Sequence, residues 1–232
     1  MDVVVVAGGA GDIGRAIARR FSREGRQVAI WDVKPSPSDD QGPQLSLLCD
    51  ITDVRAVQAA LQATEAQLGQ VACLVNAAGL AQYDDFLELP AERWNRIVDV
   101  NLIGAATTTR AVLPGMLARG GGTVINICSI WSRAAGVKRS AYIASKWGLL
   151  GLTKSLSEEY RGQGIQFAAI SPGPVLTEMT KPFVKPEEAA TWMEPSTVAE
   201  AVWFAASPAG RAAVVGSEIE LLGWGRPAGL KG

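Results

Sequence analysis

The sequence contains no histidine. Ser–His and Cys–His nucleophile pairs are excluded, as are metal sites built on imidazole. Acid–base chemistry must use another side chain. Cysteine is also scarce. Cys49, Cys73 and Cys128 lie in apolar stretches, odd in number and without metal-type spacing. They read as reduced core thiols, with no metal site and a cytoplasmic location expected. There is no basic tract, and the formal net charge is −1, which argues against nucleic acid or an anionic membrane as partner. No apolar run approaches the ~20 residues of a membrane span. The opening Met1-Asp2-Val3-Val4 carries neither a basic segment nor a cleavage site, so no signal peptide is expected.

What is present is globular in character. Over 232 residues, 48% apolar and 19% charged side chains suit one folded domain rather than disorder. Short β-branched or apolar runs at 3–7, 27–32, 45–49, 71–76, 123–128, 165–170 and 218–222 read as strands. Helical stretches separate them, among them a long one over 91–118, a second containing Tyr142 and Lys146, and a third over 194–206. This alternation predicts a single-domain α/β fold, a doubly wound parallel sheet of the Rossmann type.

Several motifs fall at the carboxyl ends of these strands. Gly8-Gly9-Ala10-Gly11-Asp12-Ile13-Gly14 links the first strand to a helix, a place where backbone can approach a diphosphate. Asp32 ends the second strand. A carboxylate there can accept both hydroxyls of an adenosine ribose and would repel a 2′-phosphate, which favours NAD over NADP. Lys34 is the only nearby cation. The fourth strand stops at Ala77-Ala78-Gly79, small residues that leave room for a ligand. Asn101 interrupts an apolar helix face and marks either a kink or a polar relay. Tyr142 and Lys146 stand four residues apart, on one face of a helix. An adjacent cation favours phenolate, so Tyr142 is expected to have a lowered pKa.

Taken together and in this order, the motifs resemble the short-chain dehydrogenase/reductase family in its standard single-domain form, over about residues 2–225. The resemblance implies a catalytic tetrad of Asn101, Ser129, Tyr142 and Lys146. Tyr142 would be the general acid or base, and Ser129 would hold the reacting oxygen. Lys146 would lower the Tyr142 pKa and bind the nicotinamide ribose, and Asn101 would hold a proton-relaying water. It also implies NAD contacts from Gly8, Gly11, Asp12, Ile13, Gly14, Asp32, Asp50, Ile51, Asn76, Ala77 and Gly79, from Tyr142 and Lys146 themselves, and from Pro172, Gly173, Val175 and Thr177. Two positions depart from the family pattern. Asp12 stands where the middle glycine of the cofactor loop is expected, and Ala77 replaces the second asparagine of Asn-Asn-Ala-Gly. Asp12 can cap the following helix, but its charge beside a diphosphate is unexplained by sequence.

The expected substrate is a small-molecule alcohol or ketone. Trp131, Arg133, Arg139, Met179, Phe183 and Trp192 are the candidate substrate residues, with a short lid over about 178–194. A homo-oligomer, dimer or tetramer, is implied by resemblance. Two other readings stay open: an NADPH-dependent oxoacyl or carbonyl reductase, and a non-catalytic nucleotide-sensing protein on the same fold.

Overall fold

The computed structural model describes residues 3–36, 42–184, 189–213 and 218–222. Seven strands form one sheet in the order β3-β2-β1-β4-β5-β6-β7, and every neighbouring pair is parallel. They are β1 (Val3–Ala7), β2 (Gln27–Asp32), β3 (Leu45–Leu48), β4 (Val71–Asn76), β5 (Gly122–Ile127), β6 (Ile165–Pro172) and β7 (Glu218–Leu221). The helices are α1 (Asp12–Arg23), α2 (Val54–Leu68), α3 (Ala91–Val98), α4 (Ala105–Ala118), α5 (Ser140–Glu159), α6 (Pro195–Ala206) and the short α7 (Pro208–Ala213). The doubly wound parallel sheet expected from sequence is thus present, as a single domain.

Alternation along each strand explains the two cores. In β1, Val4 and Val6 pack with Ile17, Phe21 and Val202 on the α1–α6 side. Val3, Val5 and Ala7 pack with Val57, Leu61, Val112 and Met116 on the α2–α4 side. A strand whose residues go to helices on both faces must be apolar throughout, which is why β1 is an unbroken valine run. Trp31 is fully buried, and its indole N–H donates to Thr64 Oγ1 at 3.0 Å. That bond satisfies the one polar atom its burial takes from water.

The strand order reverses direction between β1 and β4. Ligands of open α/β sheets bind at such a switch point, beyond the carboxyl ends of the strands. The glycine-rich turn after β1 and the Ala77-Ala78-Gly79 segment after β4 meet there.

The stretch expected to be one long helix is three pieces. Between α3 and α4, Asp99–Gly104 forms a π-helical turn. A π turn carries one more residue than an α turn and often marks a functional site. Asn101 sits in it, fully buried.

Candidate active site

The cofactor half of the site is made mostly of backbone. Gly8 has φ +81°, and a Cβ there would lie 2.3 Å from Ala78 N. A Cβ on Gly14 would lie 2.2 Å from the Gly8 carbonyl oxygen. These two glycines close the turn upon itself and upon the segment after β4. Gly11 differs: the nearest atom to its Cβ would be the Gly8 oxygen at 3.6 Å. It is also the N-cap of α1 and brings no side-chain acceptor to the first-turn amides. The turn therefore leaves open space over a helix N-terminus, and these residues fit a dinucleotide diphosphate. Ile13 packs its side chain into the α1–α6 core. Asp32 lies against the same turn, its carboxylate accepting from Ala10 N and from Lys34 N, both at 3.0 Å.

Asp12 is explained by the structure. One carboxylate oxygen accepts from Arg15 at 2.5 Å and the other from the Glu178 amide at 2.7 Å. Burial alone would raise its pKa. The Glu178 amide, Arg15 and Lys181 outweigh that and hold the carboxyl below its usual range. The charge is thus matched within the protein, and it ties the start of α1 to the chain after β6. Asp12, Arg15, Leu176, Thr177, Glu178 and Lys181 line a cleft of about 450 Å³.

Other candidate cofactor residues are engaged inside the fold. Asn76 donates to Asn126 Oδ1 at 2.8 Å and accepts from Thr108 at 2.7 Å, so its side chain joins β4, β5 and α4. Asp50 accepts from Thr52 and pairs with Arg96 at 3.0 Å. Against the effect of burial, these contacts keep its carboxyl below the usual range. Ile51 is buried against Gly104, where a Cβ would meet it at 2.6 Å. The amide of Ala77 donates to Ala7 O at 2.8 Å. Beyond β6, Pro172 ends the strand and Gly173 N donates to Leu221 O at 2.7 Å. Val175 is buried, and Thr177 N donates to Thr180 Oγ1 at 2.9 Å.

The candidate catalytic half is made of side chains. Ser129 follows β5 in extended conformation and caps a 3₁₀ turn, Ile130–Ser132; its Oγ accepts from Trp131 N at 3.2 Å. Tyr142 and Lys146 share one face of α5, with the ammonium 5.8 Å from the ring centroid. Lys146 is buried and donates to Ile127 O at 2.7 Å. Asn101 accepts from Leu80 N at 2.7 Å and donates to Leu80 O and Ser145 Oγ, both at 3.0 Å. A Cβ on Gly79 would lie 3.5 Å from Asn101 Oδ1 and 3.6 Å from Lys146 Nζ, so the segment after β4 passes directly beside both. The structure thus gathers the expected four residues around the end of the sheet.

The expected lowering of the Tyr142 pKa is not found in the chain alone. Burial pushes the phenol up, and a hydrogen bond with Ser129 and the charge of Arg139 only partly oppose it. Lys146 is pushed down by its own burial, with the neighbouring Cys128 opposing. Its ammonium lies against the tyrosine ring and is spent on a carbonyl, so desolvation dominates. Cys128 is itself pushed up to about 12 by burial, with Lys146 opposing and Glu218 adding to the rise.

The substrate candidates separate clearly. Arg133 pairs with the buried carboxylate of Glu218 and reaches Glu220 at 3.4 Å. Strand β7 therefore holds it. Arg139 lies 5.1 Å from the centroid of the Tyr83 ring and 5.5 Å from that of Trp131. Met179 is exposed and Trp192 half-buried. The Phe183 side chain and residues 185–188 of the expected lid lie outside the described residues.

One contributor was missed by sequence reasoning. Gln82 is buried, accepts from Ala141 N at 2.9 Å and donates to Asp84 O at 3.2 Å. It caps the helix carrying Tyr142 from a loop sixty residues away in sequence. Only its being polar among small residues after Gly79 could have signalled it.

The family described as short chain dehydrogenase matches residues 2–188. The chain belongs to the short-chain dehydrogenase family. It is accordingly an oxidoreductase enzyme acting on alcohol or ketone groups. Among short-chain dehydrogenases it is 35% identical over 185 residues to D-threitol dehydrogenase of Mycolicibacterium smegmatis, covering 76% of this chain and 71% of that one. It is 33% identical over 184 residues to 2-dehydro-3-deoxy-L-rhamnonate dehydrogenase (NAD(+)) of a Sphingomonas species, covering 75% and 74%. The ligand-free aldohexose dehydrogenase of Thermoplasma acidophilum superposes with a TM-score of 0.86 at 28% identity, covering 94% and 91%. Among the described residues, no helix is long and apolar enough to cross a membrane.

Proposed function

We propose that this short-chain dehydrogenase is NAD-dependent and interconverts a secondary alcohol and a ketone on a small hydroxylated substrate. The observation that carries the reading is the convergence of Ser129, Tyr142, Lys146 and Asn101 beside the open glycine turn. Asp32 supports NAD, because a carboxylate against that turn favours a free ribose and disfavours a 2′-phosphate. The relative that has NAD(+) in its name points the same way, and the named relatives support a polyol or sugar-derived substrate.

NAD, when bound, supplies the hydride acceptor. The Gly8–Gly14 turn and Asp32 would hold its diphosphate and adenosine ribose, with Lys146 at the nicotinamide ribose. In oxidation, Tyr142 as phenolate takes the proton of the substrate hydroxyl; in reduction it returns a proton to the same oxygen. Ser129 Oγ hydrogen-bonds that oxygen and fixes its distance from Tyr142. Lys146, held by Ile127 O, would favour the phenolate through its charge once NAD and substrate complete the site. A water held beside Asn101 in the π turn would carry the proton outward. Exposed Trp147 on α5 and Ile103 in the π turn offer apolar surface for pairing as a homo-oligomer; a cytoplasmic location completes the reading.

The test is NADH and NADPH formation by the purified enzyme over a panel of secondary alcohols, with D-threitol, sugar acids and simple diols in it. Turnover with NAD well above that with NADP is expected. A clear preference for NADP would overturn the cofactor assignment, and no turnover with either nucleotide would overturn the reaction.

A further inference from the structure

Three cations come close to the site along the chain: Arg133, Lys138 and Arg139. Two of them are neutralised. Arg133 is paired with Glu218 and Glu220, and Lys138 with Asp85 at 2.9 Å. Arg139 has no carboxylate partner among the described residues. Instead two aromatic rings flank it, Tyr83 at 5.1 Å and Trp131 at 5.5 Å from its guanidinium carbon.

The surroundings place this cation at the reacting end of the site. Trp131 is two residues from Ser129, whose hydroxyl accepts its amide. Arg139 is three residues before Tyr142 and the N-cap of α5, and its charge is felt at the Tyr142 hydroxyl. Tyr83 lies on the loop that Gln82 fastens to the start of α5. Arg139 is itself half-buried. Aromatic contact fixes a guanidinium through its faces and leaves the in-plane N–H donors for an acceptor. An arginine that is immobilised, partly desolvated and unpaired beside a proton-transfer group is prepared for an anion.

We propose that Arg139 is a specificity-determining residue, receiving a carboxylate or phosphate on the substrate whose carbinol carbon is oxidised at Tyr142. The substrate class is then a short hydroxy acid, sugar acid or hydroxyalkyl phosphate and its keto counterpart. This rests on the dehydrogenase reading above. The anion stays bound and unchanged; the reaction removes a hydride from carbon and a proton from oxygen, as for any secondary alcohol.

The experiment uses matched substrates that differ only in the distal group: 1,3-butanediol, 3-hydroxybutyrate and 3-hydroxybutyl phosphate, and likewise D-threitol, D-threonate and threitol phosphate. Each is measured for kcat/KM with NAD, and for thermal stabilisation of the protein with and without NAD. Wild type is expected to favour at least one anionic member of a set over its neutral partner by about tenfold to a hundredfold, the scale of one charge-assisted hydrogen-bond pair. Arg139→Gln should remove that preference through KM of the anionic members, while the charge lost beside Tyr142 acts on kcat of neutral and anionic members equally. Arg139→Lys should restore part of it, since charge is kept while the planar fork is lost. The carboxylate and phosphate arms identify the anion. Equal use and equal stabilisation by neutral and anionic members, or a preference that survives Arg139→Gln, would overturn the proposal. An equal rise in KM for neutral and anionic substrates in Arg139→Gln would also overturn it, as a structural role. If no alcohol is turned over, the dehydrogenase reading fails, while the stabilisation arm still decides whether Arg139 selects anions.

Discussion

The two halves of the site are built by different means. On the β1–β2 side, the work is done by backbone: a glycine turn, a helix end and one carboxylate, all within the first 32 residues. On the β4–β6 side it is done by side chains fixed from a distance. Asn101 is fastened to Leu80, Lys146 to Ile127, and the start of α5 to Gln82. A backbone cradle can tolerate neighbours of many kinds, but it cannot tolerate a Cβ where the chain folds onto itself. A side-chain constellation tolerates small local changes but depends on long-range packing. Cofactor binding and turnover should therefore be separable by mutation.

The largest separation is expected from Tyr142→Phe. It removes the proton-transfer group and should lower kcat by about 10²–10⁴-fold or more, with NAD affinity by calorimetry close to wild type. A variant that keeps full activity would sink the assignment of Tyr142.

Within the cradle, Gly8→Ala and Gly11→Ala should diverge. Gly8 has φ +81° and no room for a Cβ, so that substitution should cost about 1–3 kcal/mol in chemical denaturation, and NAD binding with it. At Gly11 the Cβ fits, so stability should stay within about 0.5 kcal/mol. NAD affinity should nonetheless fall, because the methyl group occupies ligand space. Equal destabilisation by both would show that Gly11 is only structural.

Asp32→Ala should shift the NADP-to-NAD ratio of kcat/KM toward NADP by about tenfold, one lost charge repulsion, with little effect on the Tyr142-dependent step. The smallest effects belong to the carboxylates whose pKa the fold lowers. Asp12 and Asp50 are stabilising when ionised. Their contribution is present above the ordinary carboxylate pKa and is lost as pH falls through the lower, folded values. Both are partly exposed, so Asp12→Asn should reduce stability near neutral pH by only a fraction of a kcal/mol, a difference that closes in acid and is seen as a flatter dependence of Tm on pH below about pH 4.

How much of this was legible follows the same division. The strands were readable because β1, β4 and β6 are apolar on both faces, and the glycine turn because its signal is contiguous. Asn101, Ser129, Tyr142 and Lys146 were singled out by resemblance, and the structure gathers these four side chains. What could not be read lies in contacts between distant segments. Arg133 looked free in sequence because its partners, Glu218 and Glu220, come from β7. The charge of Asp12 was unexplained because Glu178 arrives from beyond β6. The Tyr142 pKa was expected to fall from its spacing to Lys146, but spacing carries no information on burial, and burial is the larger effect. Gln82 has no periodic signature at all.

The π turn at 99–104 has one last consequence, for deletions. Asn101 gives Leu80 both an acceptor and a donor, the service a neighbouring strand gives an edge strand. It does so from within the turn that holds the surplus residue. Removing one residue from 99–104 would convert the π turn to an α turn and let α3 run straight into α4, with the α4 core residues Val112 and Met116 keeping their phase. The cost would fall on Asn101 and its bonds to Leu80. The irregular turn thus works as a registration mark, allowing one continuous helical rod to serve two faces that no regular helix could align.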